Sequence, residues 1–332
     1  MHSTETERTF PPAAENRHAA LLGIGTYRPR RIVTNEEICR TLDSDPDWIV
    51  RRSGISTRPF AQSDETLVEM GATAAGKALA EAGMAPTDVD QILVATMSDL
   101  EGGDELAAEI GRRLGVAARG VKVSAACAGF TVGLSLAAST VTSGAARNCL
   151  LVAVERMSDI LDPLDRGTAF LFSDGAGAAV VGQAAEPGIG PVVWGTEPEL
   201  ADAITVRPEP EHDGRPYLRM QGASVFRWAV TNLPGVVETA LSRSGLAPGD
   251  LQAFVPHQAN LRIIESVADS VGFPEHVAIA RDIVDQGNAS AASIPLALDR
   301  MRTSGTLRSG DLALLIGFGA GLSYAATVIR MP

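Results

Sequence analysis

The alternation of apolar and polar positions predicts two similar runs of elements along the chain. Residues 21–27 read as a strand that stops at Arg28-Pro29-Arg30. Thr34-Asn35-Glu36-Glu37 predicts a helix start capped by Thr34 or Asn35, with Cys39 inside that helix. Residues 65–82 have helical spacing and end at Gly83, and Ala85-Pro86-Thr87-Asp88 leads into a strand at 91–96. The uncharged apolar run 131–141 predicts a buried helix, and 148–155 and 169–172 predict buried strands. Later, a helix over 237–244 ends at Gly245, and Ala247-Pro248-Gly249-Asp250 leads into a strand at 251–256. Gly175-Ala176-Gly177 is echoed by Gly319-Ala320-Gly321. Two echoes in the same order predict an internal duplication, each half a helix–strand sandwich of the α/β kind. The expected division is an N-terminal extension (1–19), a first half (20–183), an irregular proline-rich connection (184–222) and a second half (223–332).

Composition narrows the reading. The 332 residues are 45% apolar and 20% charged, the balance of a soluble globular protein. A net charge of −12 argues against a general basic surface for nucleic acid. Three cysteines make no disulfide framework and point to a reducing cytoplasm. The polar stretch 1–18 lacks an apolar signal core and reads as a disordered extension. Residues 312–329 are uncharged and long enough for a membrane span. The alternating Gly317, Gly319 and Gly321 fit a strand, a glycine turn and a second strand better, so no membrane role is expected.

Three small-residue turns carry candidate chemistry. Ser124-Ala125-Ala126-Cys127-Ala128-Gly129-Phe130 follows a short strand and opens the uncharged helix. A helix N-terminus lowers a thiol's pKa from about 8.5, and its free N–H groups can hold an oxyanion. A buried structural cysteine is the plainer alternative. Pro256-His257-Gln258-Ala259-Asn260 puts His257 at the carboxyl end of a strand, the ligand-binding rim of α/β folds. Gly287-Asn288-Ala289-Ser290-Ala291-Ala292-Ser293 has the same character as the cysteine turn. Cysteine accepting an acyl group, with histidine and asparagine donating hydrogen bonds to an enolate, suits thioester chemistry. Singly, His257 reads as a core histidine and Asn288 as a helix cap; together those readings weaken. Trp48, Arg51 and Arg52 form either a ring-stacking, phosphate-holding surface or a snorkelling helix edge.

From about Ala20 to Ile329 the chain resembles the thiolase-fold condensing enzymes, specifically the β-ketoacyl-acyl carrier protein synthase III family. The motifs around Cys127, His257 and Asn288 carry the resemblance. It implies a duplicated, five-layered αβαβα sandwich and a homodimer. It implies an acylated Cys127, decarboxylation promoted by His257 and Asn288, and an oxyanion hole from the N–H groups of Cys127 and Ala320. It further implies coenzyme A adenine held between Trp48 and Arg166, with Arg52 on phosphate and Asn260 beside them. A pantetheine tunnel would be lined by Met220, Gly222, Phe226 and Phe318, and Arg227 and Arg262 would face the carrier protein. Acyl-CoA and malonyl-acyl carrier protein are the implied substrates, with no permanently bound cofactor and no metal. Relatives usually carry a bulky residue near Gly103, so a changed acyl pocket is expected there; a rebuilt loop is the alternative.

The resulting expectation is decarboxylative condensation of an acyl-CoA starter with malonyl-acyl carrier protein, giving a 3-oxoacyl-carrier protein. The run Phe226-Arg227-Trp228-Ala229-Val230 looks most like priming synthases of aromatic polyketide pathways. The alternatives are an acyltransferase that passes the Cys127 acyl group to an alcohol or amine, and a non-catalytic partner subunit. Retention of Asn288 argues against the first, and the complete Cys-His-Asn set against the second.

Overall fold

A computed structural model of the protein describes residues 17–100, 102–209 and 214–332. Ten strands form its two main sheets. The first sheet holds β1 (His18–Tyr27), β2 (Gln91–Ala95), β3 (Arg119–Val123), β4 (Asn148–Arg156) and β5 (Asp174–Ala184), in the order β1-β5-β4-β2-β3. The second holds β6 (Val193–Thr196), β7 (Ala253–Pro256), β8 (Ala278–Ile279), β9 (Leu312–Gly319) and β10 (Ser323–Arg330), in the order β6-β10-β9-β7-β8. The second order is the first advanced by five. The directions repeat as well: the first-sheet pairs β1/β5 and β5/β4 and the second-sheet pairs β6/β10 and β10/β9 are antiparallel, and the remaining pairs are parallel.

The helices complete five layers. Helices α1 (Leu67–Glu81) and α2 (Glu105–Leu114) cover the outer face of the first sheet, and α4 (Gly222–Ser244) and α5 (Leu261–Val271) that of the second. Between the sheets lie α3 (Gly129–Ser143) and α6 (Ser293–Thr303), whose apolar residues share one core with both. Ala126–Ser143 is apolar and long enough to cross a membrane by composition alone, and its position in this central layer accounts for that composition. Both repeats of the Gly-x-Ala-Pro-x-Asp link become a 3-10 turn, where Asp88 accepts Ala85 N–H at 2.8 Å and Asp250 accepts Ala247 N–H at 2.7 Å.

Several sequence expectations change. The extension lies mostly outside the described residues, but His18 and Ala19, assigned to it, belong to β1 and pair with Ala184 and Gln183. The connection at 184–222 is more than loop. It supplies β6, which pairs with β10, and a hairpin of Ile204–Pro208 with Pro216–Met220. The second half's first helix starts at Gly222, fifteen residues before the expected 237, and contains Pro234. Residues 169–172 form a turn, with only a bridge from Phe172 to Asn288. Cys39 is the C-cap of the four-residue helix Asn35–Ile38, which Thr34 caps. Gly175-Ala176-Gly177 lies within β5, whereas Gly319-Ala320-Gly321 makes the β9–β10 turn, so that echo is not a structural equivalence. The uncharged run 312–329 is the antiparallel pair β9–β10.

Candidate active site

The two central helices begin alike, and that likeness builds the site. Among the described residues, the non-glycine positions with positive φ are Ala126 (44°) and Ser290 (48°). Each lies in a short 3-10 turn, Ala126–Ala128 before α3 and Ser290–Ala292 before α6. A left-handed non-glycine residue costs about 1–3 kcal/mol, so the surrounding packing must enforce both turns. The turns press together: a Cβ on Gly129 would lie 2.9 Å from the Ala95 Cβ and 3.3 Å from the Ala291 Cβ. The strand β9 approaches as closely. A Cβ on Gly319 would stand 2.7 Å from the Cys127 Cβ and 2.9 Å from its backbone nitrogen. The alternating glycines therefore serve contact with the nucleophile turn as well as the bend.

Cys127, His257 and Asn288 meet at the wall of one cavity of about 580 Å³. All three are buried. His257 follows β7, where its backbone N–H donates to Ile316 O at 2.8 Å. Its Nδ1 lies 2.7 Å from Ser293 Oγ, which also accepts Gln258 N–H at 3.3 Å. Phe318 packs edge-on against the imidazole, with centroids 5.2 Å apart. With Nδ1 engaged, Nε2 is the ring nitrogen available to a ligand. Asn288 is fixed by its neighbours: its N–H donates to Leu171 O at 2.9 Å, and its Oδ1 accepts Ser290 N–H at 2.8 Å. No acceptor among the described residues takes its Nδ2 hydrogens, which leaves that amide as a donor at the cavity wall.

Burial sets the charge state. It pushes the Cys127 thiol up to about 12, against the smaller lowering effect of the Ser290 hydroxyl. Burial likewise pushes His257 down to about 3. The expected lowering of the thiol pKa by the helix N-terminus is thus outweighed: both groups rest neutral in the closed cavity.

The outer end of the cavity differs. Arg52, Arg166, Arg227 and Arg262 line it and are exposed, and none is ion-paired with a described residue. The Arg166 guanidinium sits 5.0 Å above the Trp48 ring, which packs edge-on against Phe170 at 5.1 Å. Arg262 sits 5.1 Å from the Phe226 ring. Met220, Gly222, Phe226 and Phe318 line the passage between the two ends. Asn260 lines it too, but its Oδ1 caps α5 through Arg262 N–H at 2.9 Å and its Nδ2 donates to Arg52 O at 3.1 Å. Its visible work is to join α5 to the Trp48 helix, Pro46–Ser53.

Two expected positions lie off this chain's cavity lining. Ala320 follows Gly319 in the turn, and Gly319 is the residue against Cys127. Gly103 is not at the cavity wall; it and Gly102 have φ of 75° and 80°. A Cβ at 103 would also strike the Glu105 carboxylate. Glycine is required there by the backbone, whatever it does for an acyl chain. Sequence reasoning gave no role to Ser293, which orients His257, or to Glu155, considered below. Their partners lie 36 and up to 136 residues away, so no local pattern reveals them.

A buried thiol, an imidazole and a free carboxamide face a narrow passage with unpaired arginines at its mouth. This arrangement can take an acyl group from a long, anionic thioester and stabilise an enolate beside it. Comparison with known proteins agrees. Residues 121–198 match the family described as 3-oxoacyl-[acyl-carrier-protein] synthase III, and residues 241–331 its C-terminal region. The chain is 47% identical to β-ketoacyl-[acyl-carrier-protein] synthase III 1 of Streptomyces coelicolor, over 95% of this chain and 97% of that one. It superposes on the priming β-ketosynthase from the R1128 polyketide biosynthetic pathway with a TM-score of 0.93 at 47% identity, covering 97% of this chain and 98% of that one. For 3-oxoacyl-[acyl-carrier-protein] synthase III from Aquifex aeolicus the TM-score is 0.87 at 34% identity, with 94% and 99% covered. The fold is that of the thiolase-type condensing enzymes. The chain belongs to the β-ketoacyl-[acyl-carrier-protein] synthase III family.

Proposed function

We propose that the protein joins an acyl-CoA starter to malonyl-acyl carrier protein. The observation that carries this is the convergence of Cys127, His257 and Asn288 on one cavity with a cationic mouth. In the first half-reaction Cys127 Sγ attacks the thioester carbonyl and its proton passes to His257 Nε2; the bond to the coenzyme A sulfur then breaks, and His257 hands the proton to that sulfur, so coenzyme A leaves as the thiol. The Cys127 N–H holds the tetrahedral oxyanion, joined by the Ala320 N–H, whose peptide follows directly on Gly319 beside Cys127 although the Ala320 residue is not in the cavity lining. In the second, malonyl-carrier protein releases carbon dioxide. The enolate oxygen accepts hydrogen bonds from Asn288 Nδ2 and the protonated or Nε2–H form of His257. The enolate carbon then bonds to the acyl carbonyl carbon, the C–S bond breaks, and the departing Cys127 thiolate takes up one proton from solvent, the proton that the overall condensation consumes. The product is a 3-oxoacyl-carrier protein.

At the outer end of the cavity, Arg166 and Trp48 part to admit the adenine ring, Arg52 meets phosphate, and Arg227 and Arg262 meet the carrier protein. Likeness to a priming β-ketosynthase favours starter-unit condensation over chain elongation. The protein acts as a homodimer in this reading, and the outer edge of β3, which no described strand covers, offers a place for a second copy. Asp104 Oδ1 accepts Lys122 N–H at 2.7 Å, which holds the Gly102–Gly103 turn beside this edge; the reading has the turn reach the acyl pocket of the second copy. The three free thiols fit a cytoplasmic setting. The test is product analysis with malonyl-carrier protein and a panel of acyl-CoAs. A 3-oxoacyl-carrier protein two carbons longer than the starter is expected. Acyl transfer to an alcohol or amine without carbon dioxide release contradicts the reading.

A further inference from the structure

Glu155, near the end of β4, is fully buried. No arginine or lysine pairs with its carboxylate among the described residues. It instead collects donors from two segments. Thr96 Oγ1 donates at 3.1 Å, Met97 N–H at 3.1 and 3.2 Å, Ser98 N–H at 3.1 Å and Ser98 Oγ at 2.6 Å. From the other half, Ala291 N–H approaches Oε1 at 3.4 Å. The buried Ser290 hydroxyl lies near both Glu155 and Cys127 and makes no well-formed hydrogen bond.

The duplication explains this placement. Asp90 N–H donates to Asn148 O as Gln252 N–H does to Leu312 O, and Gln91 pairs with Cys149 as Ala253 pairs with Ala313, so six residues on, Glu155 occupies the place of Gly319, the residue against Cys127, and Thr96 that of Gln258. Ala126 and Ser290 share the left-handed turn position, so Ala291 occupies the place of Cys127. The first half therefore holds a counterpart of the active site, plugged by a carboxylate whose oxygen faces the counterpart of the Cys127 N–H.

Resting on the condensing role proposed for the site, we infer that Glu155 is a positioning residue. Its carboxylate ties the Thr96–Ser98 wall, which includes the cavity residue Met97, to the Ser290–Ala291 turn that abuts the nucleophile and follows Asn288. Burial pushes this carboxyl above the usual carboxylate range, and the Ser98, Met97 and Ser290 donors pull it back, so these donors are what favour its charged form. It is then the negative charge that faces the thiol across Ser290 and helps keep it protonated until substrate arrives. The other titratable groups on the cavity are His257, which is neutral and buried, and the four arginines at the exposed end.

The experiment is Cys127 alkylation by iodoacetamide, followed by peptide mass spectrometry with Cys149 as internal control, in the wild type and Glu155→Gln. Removing the charge isosterically should raise the Cys127 rate at pH 8 about tenfold, the result of lowering a thiol pKa by about one unit. The Cys149 rate should stay unchanged. A folded Glu155→Gln with an unchanged Cys127 rate overturns the electrostatic role. Glu155→Asp keeps the charge but cannot span both segments. It should lower condensation at least tenfold more than acyl loading, and an unchanged ratio overturns the positioning role. Alkylation is read without substrate, so its outcome is independent of which acyl acceptor the enzyme uses.

Discussion

The inner and outer ends of the cavity follow opposite physical rules. At the inner end, Cys127, His257 and Asn288 are buried, neutral and locked by strained turns and close backbone contacts. At the outer end, Trp48 and four arginines are partly or fully exposed, and their contacts are ring and guanidinium stacking. Burial withholds charge at the first until a substrate brings its own dipole. At the second, four arginines without ion-pair partners among the described residues gather positive charge on a protein of net charge −12, which suits an anionic ligand. Inner residues should thus govern turnover and outer residues binding.

The sharpest break is Cys127→Ser. An alcohol is a far weaker nucleophile than a thiol beside a base of suppressed basicity, so acyl loading should vanish while the thermal transition stays. Loading at the wild-type rate would remove Cys127 from the chemistry. Next is Gly319→Ala. Its methyl group must push the Cys127 turn aside, and a displacement near 1 Å at reacting atoms costs on the order of a hundred-fold. Turnover should fall with little change in Michaelis constant; the reverse would place Gly319 in binding.

At the mouth, Trp48→Ala and Arg166→Ala should raise the Michaelis constant for acyl-CoA and leave turnover nearly intact. A cation–π stack is worth on the order of 0.5–2 kcal/mol, roughly two- to thirty-fold. Lower turnover at a constant Michaelis constant would erase the distinction between the two ends. The smallest effect is on stability. His257 is protonated in the unfolded chain below about 6.5 but in the folded one only near 3. Its contribution to stability is complete above 6.5 and is lost as pH falls through that window. Denaturant unfolding of His257→Gln should lack up to about 1.4 kcal/mol per pH unit of the wild-type acid slope. Identical slopes would mean that His257 is charged or exposed when folded.

Much of this was legible from residue pattern because the decisive signals are local. The Cys127 and Asn288 turns, the strand leading to His257 and the repeated Ala-Pro-x-Asp link are each contained within a few residues. What was hidden depends on distance or burial. The strand β6 lies in a proline-rich stretch and acquires its identity only by pairing with β10. Pro234 obscured the first turns of α4, although tertiary packing carries the helix through it. The thiol pKa reversed direction because desolvation is a property of the assembled cavity. Gly103 stood out by comparison with relatives, yet its positive φ supplies a reason that the one-dimensional pattern does not contain.

The central claim is that one turn accepts the acyl group while the other supports carbon–carbon bond formation. Intact-protein mass spectrometry of Asn288→Ala tests it directly, with acyl-CoA added first and malonyl-carrier protein second. The variant should gain the acyl mass on Cys127 as the wild type does. On addition of malonyl-carrier protein the wild type should lose that mass, and the variant should retain it, its condensation slowed roughly a hundred- to a thousand-fold by loss of one oxyanion donor. A variant that fails to load, or that unloads at the wild-type rate, contradicts the division of labour between the two turns.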